Sequence, residues 1–312
     1  MKTVGKLFLE IAALLVFLVL LTGFLEWKYA SYRTQADMLM EEFQNKNSGA
    51  EILWLGNSHT IPLVAEYDTL HLQPSSASFA YGGMDLFWSA VLLEKYKGQM
   101  PRLKTLCIGV DEELLGYNQT FFKLEYINRA LFRYTDTLDE DSRFDRLLAS
   151  SNFFRTNRDI SYLVNKRNQP SDLKPMLQGF FQPGSMDQQS RQRAKENSIT
   201  RFSKKLIPKN IFLLKQIVET AKASGINVLL FTSPKSASYL HYRDSASIES
   251  SRLALRDFTV SENLIYKNGN RFQFPDSLFS DPDHLNKSGA KIFLDSLNEV
   301  WLEKKGEMLF KK

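Results

Sequence analysis

Cysteine is almost absent: Cys107 stands alone in 312 residues. That excludes an intramolecular disulfide and any zinc or iron–sulfur centre built on several thiolates. Charge of one sign is nearly as scarce. Lys and Arg number 40 against 35 Asp and Glu, a net charge of +5, too small a surplus to mark a nucleic-acid binder without a concentrated patch. The chain carries no Walker loop, no dinucleotide-type Gly-x-Gly-x-x-Gly and no His-Glu-x-x-His, so nucleotide and zinc-protease readings lack their motifs. Neither a cofactor nor a resident metal is expected. With 43% apolar and 24% charged residues, the composition is that of a globular protein and not of a disordered, collagen-like or multi-span chain.

One long apolar run is present, at 7–25. It is broken only by Glu10, Thr22 and Gly23, and 11–21 has no polar residue. Nineteen helical residues reach roughly 28 Å, close to the ~30 Å hydrocarbon core of a bilayer. A cleaved signal peptide is the nearest rival, but the run leaves through Phe24, Leu25, Glu26, Trp27 and Lys28, without a small-residue cleavage site. Residues 1–26 are therefore expected to be a transmembrane anchor and 27–48 a juxtamembrane stalk. Lys2 and Lys6 precede the span, Lys28 and Arg33 follow it, and basic flanks orient it only weakly. The expected arrangement has the N-terminus inside and the body outside the cytoplasm, in the periplasm or at the cell surface.

Residues 49–312 read as one α/β domain. The apolar run 51–55 ends at Gly56, and 104–110 and 226–232 are further buried-strand patterns, with 78–81 a weaker one. Helical spacing marks 84–97, 208–223 and 287–304. Strands alternating with helices predict a mostly parallel sheet, whose sites lie beyond the carboxyl ends of its strands. The alternation is lost over 117–207, which reads as an insertion or helical cap. Within it, 188–209 carries seven basic residues and one acid, Glu196. That pattern suits a solvated helix or loop, or attraction to anionic lipid or polymer.

Chemistry can gather at two places. The first is Gly56, Asn57, Ser58, His59 and Thr60, directly after a strand. A serine there presents its hydroxyl at the active edge of the sheet, where following amides can face an oxyanion. Thr60 departs from the Gly-x-Ser-x-Gly elbow of α/β-hydrolases, and an ordinary strand-to-helix turn has the same appearance. The second place is Ser280, Asp281, Pro282, Asp283, His284, Leu285 and Asn286. Histidine suits the removal of a serine proton, and a carboxylate three residues earlier can fix its tautomer. The two acids could instead cap the last helix or, with His284, contribute to a metal site that lacks obvious further ligands.

Together the two places resemble the SGNH/GDSL hydrolase superfamily, whose first block is Gly-Asp/Asn-Ser and whose last is Asp-x-x-His. That resemblance implies a three-layer α/β/α sandwich with Ser58 as nucleophile, His284 as base and Asp281 as its orienter. It also implies an oxyanion hole from the amides of Ser58 and of Gly82 or Gly83. One block departs from the pattern. Where the family places an asparagine donor, this chain has Gly109, Val110, Asp111 and Glu112, and an ionised Asp111 accepts but cannot donate. Losing one such donor typically lowers turnover ~10²–10³-fold. Asn57, His59, Asp111, Ser233 and Lys235 are expected near the pocket.

Membrane-anchored relatives that modify envelope polymers look similar to this chain. The resemblance thus implies a serine esterase or O-acyltransferase on O-acyl, chiefly acetyl, groups of envelope polysaccharide, or a catalytically weak assembly component. The implied partners are the bilayer, a carbohydrate polymer and a membrane-bound O-acyltransferase, with no nucleic acid.

Overall fold

A computed structural model of the chain describes residues 2–119, 121, 126–139, 143–155, 186–262 and 264–311. Helices α1 (Lys2–Tyr29) and α2 (Gln35–Lys46) precede β1 (Ile52–Leu55). Next come α3 (Ile61–Thr69), β2 (Ser76–Ser78), α4 (Leu86–Tyr96) and β3 (Thr105–Gly109). Three helices follow, α5 (Tyr126–Thr135), α6 (Arg143–Ser150) and α7 (Asn152–Arg155). The second half holds α8 (Met186–Lys195), α9 (Ile207–Ala223), β4 (Asn227–Thr232), α10 (Ala237–Tyr242), α11 (Ser245–Ser261) and β5 (Ile265–Asn268). A short antiparallel pair, β6 (Phe279–Asp281) and β7 (His284–Leu285), leads into α12 (Lys287–Lys305).

The chain forms two compact units, Met1–Asp37 with Glu125–Ser171, and Met38–Leu124 with Asp172–Lys312. The larger unit is the α/β body. Its five strands are all parallel, in the order β2-β1-β3-β4-β5. Every residue of β1 and β3 is buried, as continuous apolar strands covered on both faces must be. Side chains alternate between the faces. Ile52, Trp54, Cys107, Leu229 and Phe231 share one core with Leu63 and Tyr67 of α3 and with Phe293, Leu297 and Trp301 of α12. Trp54 meets Tyr67 edge-on at 5.7 Å and Phe231 at 6.1 Å. Leu53, Leu55, Leu106, Ile108 and Leu230 are also buried, on the opposite face, where α4 and α9 pack against each other. The result is helices over both faces of a parallel sheet, the expected α/β/α layering.

The edge strand begins earlier than its sequence suggests. The expected strand over 78–81 is displaced to Ser76–Ser78, because Ser76, Ala77 and Ser78 pair with Ile52, Leu53 and Trp54. Phe79 and Tyr81 still donate backbone hydrogen bonds to Trp54 and Gly56 (2.9 and 3.1 Å), so the chain follows β1 to its carboxyl end. In α2, Met40 and Phe43 are buried, and Phe43 stacks on Phe79 at 4.2 Å.

The smaller unit is built on α1, whose stretch Gly5–Tyr29 is long and apolar enough to cross a membrane. Its apolar side chains are exposed, Val19 at 70% and Leu20 at 67%. At its end the Glu26 carboxylate accepts from the Asn152 amide (2.7 Å) and the Ser151 hydroxyl, capping α7, while Tyr29 packs edge-on against Phe153 at 5.2 Å. Of the segment expected as an insertion, 156–185 lie outside the described residues.

Candidate active site

The order of the strands changes direction at β1 and β3, and in open parallel sheets that crevice is where ligands bind. Ser58 follows β1, Asp111 follows β3, and Ser233 and Lys235 follow β4. Gly56, at φ 148°, makes the sharp exit from β1; a Cβ there would stand 2.1 Å from Thr60 Oγ1 and 3.2 Å from the Gly109 carbonyl oxygen. Asn57 then closes the turn: its Oδ1 accepts from the His59 amide at 3.0 Å, and its Nδ2 donates to Asp111 Oδ2 at 3.1 Å. Ser58 sits half-buried at the apex.

The acidic turn arrives on the hairpin β6–β7. Asp281 Oδ1 accepts from the amides of Asp283 (3.1 Å) and His284 (2.9 Å), which folds His284 back over it. The His284 ring then meets Asp281 through Nδ1, at 2.8 Å from Oδ1 and 3.0 Å from Oδ2, and Ser58 Oγ through Nε2 at 2.9 Å. With Asp281 holding the proton on Nδ1, Nε2 is the nitrogen left to accept from the serine hydroxyl. The cap of α12 is Asn286, whose Oδ1 accepts from Gly289 at 3.0 Å. The capping role considered for Asp281 and Asp283 is thus filled by another residue, and both acids face the imidazole.

The five residues expected near the pocket adjoin this group. His59 Nδ1 faces Asp111 Oδ2 and Lys235 Nζ, the latter at 2.7 Å, and its Nε2 lies 3.2 Å from Asp283 Oδ2. Lys235 Nζ is 3.4 Å from Asp111 Oδ1, and Ser233 Oγ donates to the His59 carbonyl at 3.2 Å. Gly82 and Gly83 form the turn after β2, tied to β1 by the Tyr81–Gly56 hydrogen bond. Gly83 has φ 74°, and its carbonyl accepts from Gln119 Nε2.

Two neighbours of the turn were hidden in the sequence. Arg193 of α8 places Nη2 3.3 Å from Asp281 Oδ2 and Nε 3.3 Å from Asp283 Oδ1. This corrects the solvated reading of the basic stretch at that position, because two buried carboxylates require a cation. Asn197 lies on the π-helical turn Glu196–Thr200 that continues α8, and its Nδ2 donates to Asp283 Oδ2 at 3.0 Å. The only advance signal was the density of Arg and Lys, which does not say which one turns inward. His71 and His241 take no part in the group; His241 packs against the Tyr242 ring at 4.9 Å.

Burial pulls the His284 imidazole down, but the Asp283 charge and the hydrogen bonds that Asp281 and Asp283 accept from the ring outweigh it and raise its pKa to about 9. Burial works against the Asp283 charge too, yet His284 and His59 hold that carboxyl well below the usual range. Asp111 is likewise lowered, against its burial, by His59, Lys235 and Asn57. Chiefly the charge of Asp283 raises the Arg193 guanidinium. His59, Asp283 and His284 bring nitrogen and oxygen atoms within 4.8 Å of one another, but the Arg193 guanidinium already supplies positive charge to Asp283. The arrangement is an ion-pair cluster around a serine–imidazole pair.

No family model and no curated protein matches the chain. Several solved structures are similar to it at low TM-scores. A GDSL-like lipase from Bacteroides thetaiotaomicron is similar at a TM-score of 0.42 and 9% identity, over 85% of this chain and 97% of the other. A lipase/acylhydrolase from Enterococcus faecalis is similar at 0.38 and 12%, over 84% and 99%. A variant of an acetyl-xylooligosaccharide esterase from a Geobacillus is similar at 0.37 and 11%, over 86% and 99%.

Proposed function

We propose that this chain is a membrane-anchored serine O-acyltransferase or esterase of the SGNH/GDSL type, acting outside the cytoplasm on O-acyl groups of envelope polysaccharide. One observation carries the chemistry: Ser58 Oγ lies 2.9 Å from His284 Nε2 while Nδ1 of the same ring is held by Asp281. Ser58 attacks the acyl carbonyl, His284 takes the hydroxyl proton, and the amides of Ser58 and Gly82 or Gly83 face the oxyanion. His284 returns the proton to the leaving alcohol. The acyl group then passes from Ser58 to water or to a sugar hydroxyl.

The anchor reading rests on α1, with its exposed apolar surface. An anchored body outside the cytoplasm has no local supply of cytoplasmic acyl-thioester, which favours transfer fed by a polytopic O-acyltransferase. A second reading, a catalytically weak assembly component, is favoured by Asp111. Its Oδ2 accepts from Asn57 and pairs with His59, so no carboxamide donor stands at that position.

Counting acyl groups per sugar in wild-type, deletion and Ser58→Ala cells separates these readings. A transferase loses acyl groups in both mutants. A gain would identify a deacylating esterase, and full rescue of the deletion by Ser58→Ala would identify a scaffold.

A further inference from the structure

His59 has a partner for either protonation state. When Nδ1 carries a proton it donates to Asp111 Oδ2; when it does not, it accepts from Lys235 Nζ at 2.7 Å. In both states an Nε2–H can donate to Asp283 Oδ2, 3.2 Å away. An imidazole with a purely structural task needs one such arrangement, and this one has two.

The same Asp283 carboxylate lies 3.3 Å from His284 Nδ1 through its other oxygen. It therefore bridges two imidazoles whose ring centroids are 4.6 Å apart. The groups facing the pair include Asp281, Asp283 and Asp111 as acids, and Arg193 and Lys235 as cations. Asn197 adds a neutral donor to Asp283, with Tyr239 and Glu113 one and two hydrogen bonds behind it. Three buried carboxylates against two fixed cations leave one negative charge, which one proton on either imidazole neutralises. A second proton would give the cluster a net positive charge. The two rings therefore compete for one proton.

We propose that His59 is a positioning residue that shares this proton with His284 across Asp283, and so keeps His284 available as the base for Ser58. This rests on the reading of Ser58 and His284 given above. Whenever Asp111 draws the proton to His59, His284 Nε2 is free to accept from the serine hydroxyl. When Ser58 attacks, its Oγ–acyl bond forms, its proton passes to His284, and the negative oxyanion offsets the added charge while His59 keeps its own proton; His284 then returns the proton to the leaving alcohol.

The test is the pH profile of Ser58 labelling by a fluorophosphonate, in the full chain in detergent micelles, for wild type and His59→Gln. Glutamine keeps a donor toward Asp283 but cannot take the proton. The rising limb of His59→Gln, set by loss of the proton from His284, should move up by about one pH unit, since a neighbour's partial positive charge is gone. A limb that stays in place or moves down overturns the proposal.

Nitrogen NMR of ¹⁵N-histidine-labelled wild type reads the same sharing without a variant. Each of the two rings should shift at both of two coupled steps; a His59 ring that titrates in one step unconnected to His284 overturns it. This second readout does not depend on catalysis. A wild type that fails to label would therefore count against the proposed function, while the NMR still decides the role of His59.

Discussion

Ser58 Oγ and His284 Nε2 lie 2.9 Å apart across 226 positions of sequence. The serine is delivered by the buried strand β1, and the histidine by a hairpin folded around Asp281. Neither motif alone marks a site; the sheet and α12 bring them to one place.

Removing His284 should depress ester turnover about as much as removing the nucleophile, ~10⁴-fold or more, since the groups act as a unit. Asp281→Asn should cost more than Asp283→Asn. Asp281 makes the shorter contacts to Nδ1, at 2.8 and 3.0 Å, and also folds the turn, whereas Asp283 stands 3.3 Å away. Steady-state kcat on a small acetyl ester checks the order, and the reverse order would assign the orienting role to Asp283.

The pH dependence has a definite sign. A base must be neutral, and His284 is raised to about 9 by Asp283 and Asp281 against its burial. Turnover should climb with pH and level off only near that value. Stability should move the other way. The raised pKa makes a contribution that is complete below about 6.5, the ordinary histidine value, and is lost as pH rises through about 9. Urea midpoints at pH 6 and pH 9.5 should therefore fall in that order for wild type, with a smaller difference in His284→Gln.

Arg193→Met leaves Asp281 and Asp283 without their guanidinium. Stripping one partner from a buried pair is typically worth 3–5 kcal/mol, and the partial exposure of Arg193 (34%) reduces this to ~2–3 kcal/mol. Denaturant unfolding measures it. An exposed neighbour such as Arg191→Met should leave stability nearly unchanged.

Carbonate extraction tests the anchor. The full chain should remain with membranes, and a reporter active only outside the cytoplasm should be active when fused after Lys312. A shortened, soluble product would make α1 a cleaved signal peptide.

Most of the frame was legible because buried parallel strands are short apolar runs: Leu53 to Leu55, Leu106 to Ile108 and Val228 to Phe231 could be read directly. β5 escaped notice because Ile265, Tyr266, Lys267 and Asn268 are only half-buried and carry no such run. The serine and the acidic turn were legible as short motifs with a chemical reason for their spacing. Arg193 and Asn197 were not, because their places depend on how α8 and its π-turn pack, and local composition says nothing of that. His59 was visible as a neighbour of Ser58. Its role between Asp111, Lys235 and Asp283 depends on three separate segments meeting.

Activation of Ser58 as a nucleophile has a direct chemical readout. Treating the full chain with a fluorophosphonate at pH 9 and reading intact mass and peptide maps tests it most directly. An activated Ser58 gives one adduct on Ser58 in wild type, none in Ser58→Ala, and a strong reduction in His284→Ala but not in His71→Ala or His241→Ala. Equal labelling of wild type and Ser58→Ala, or no labelling of either, would contradict it.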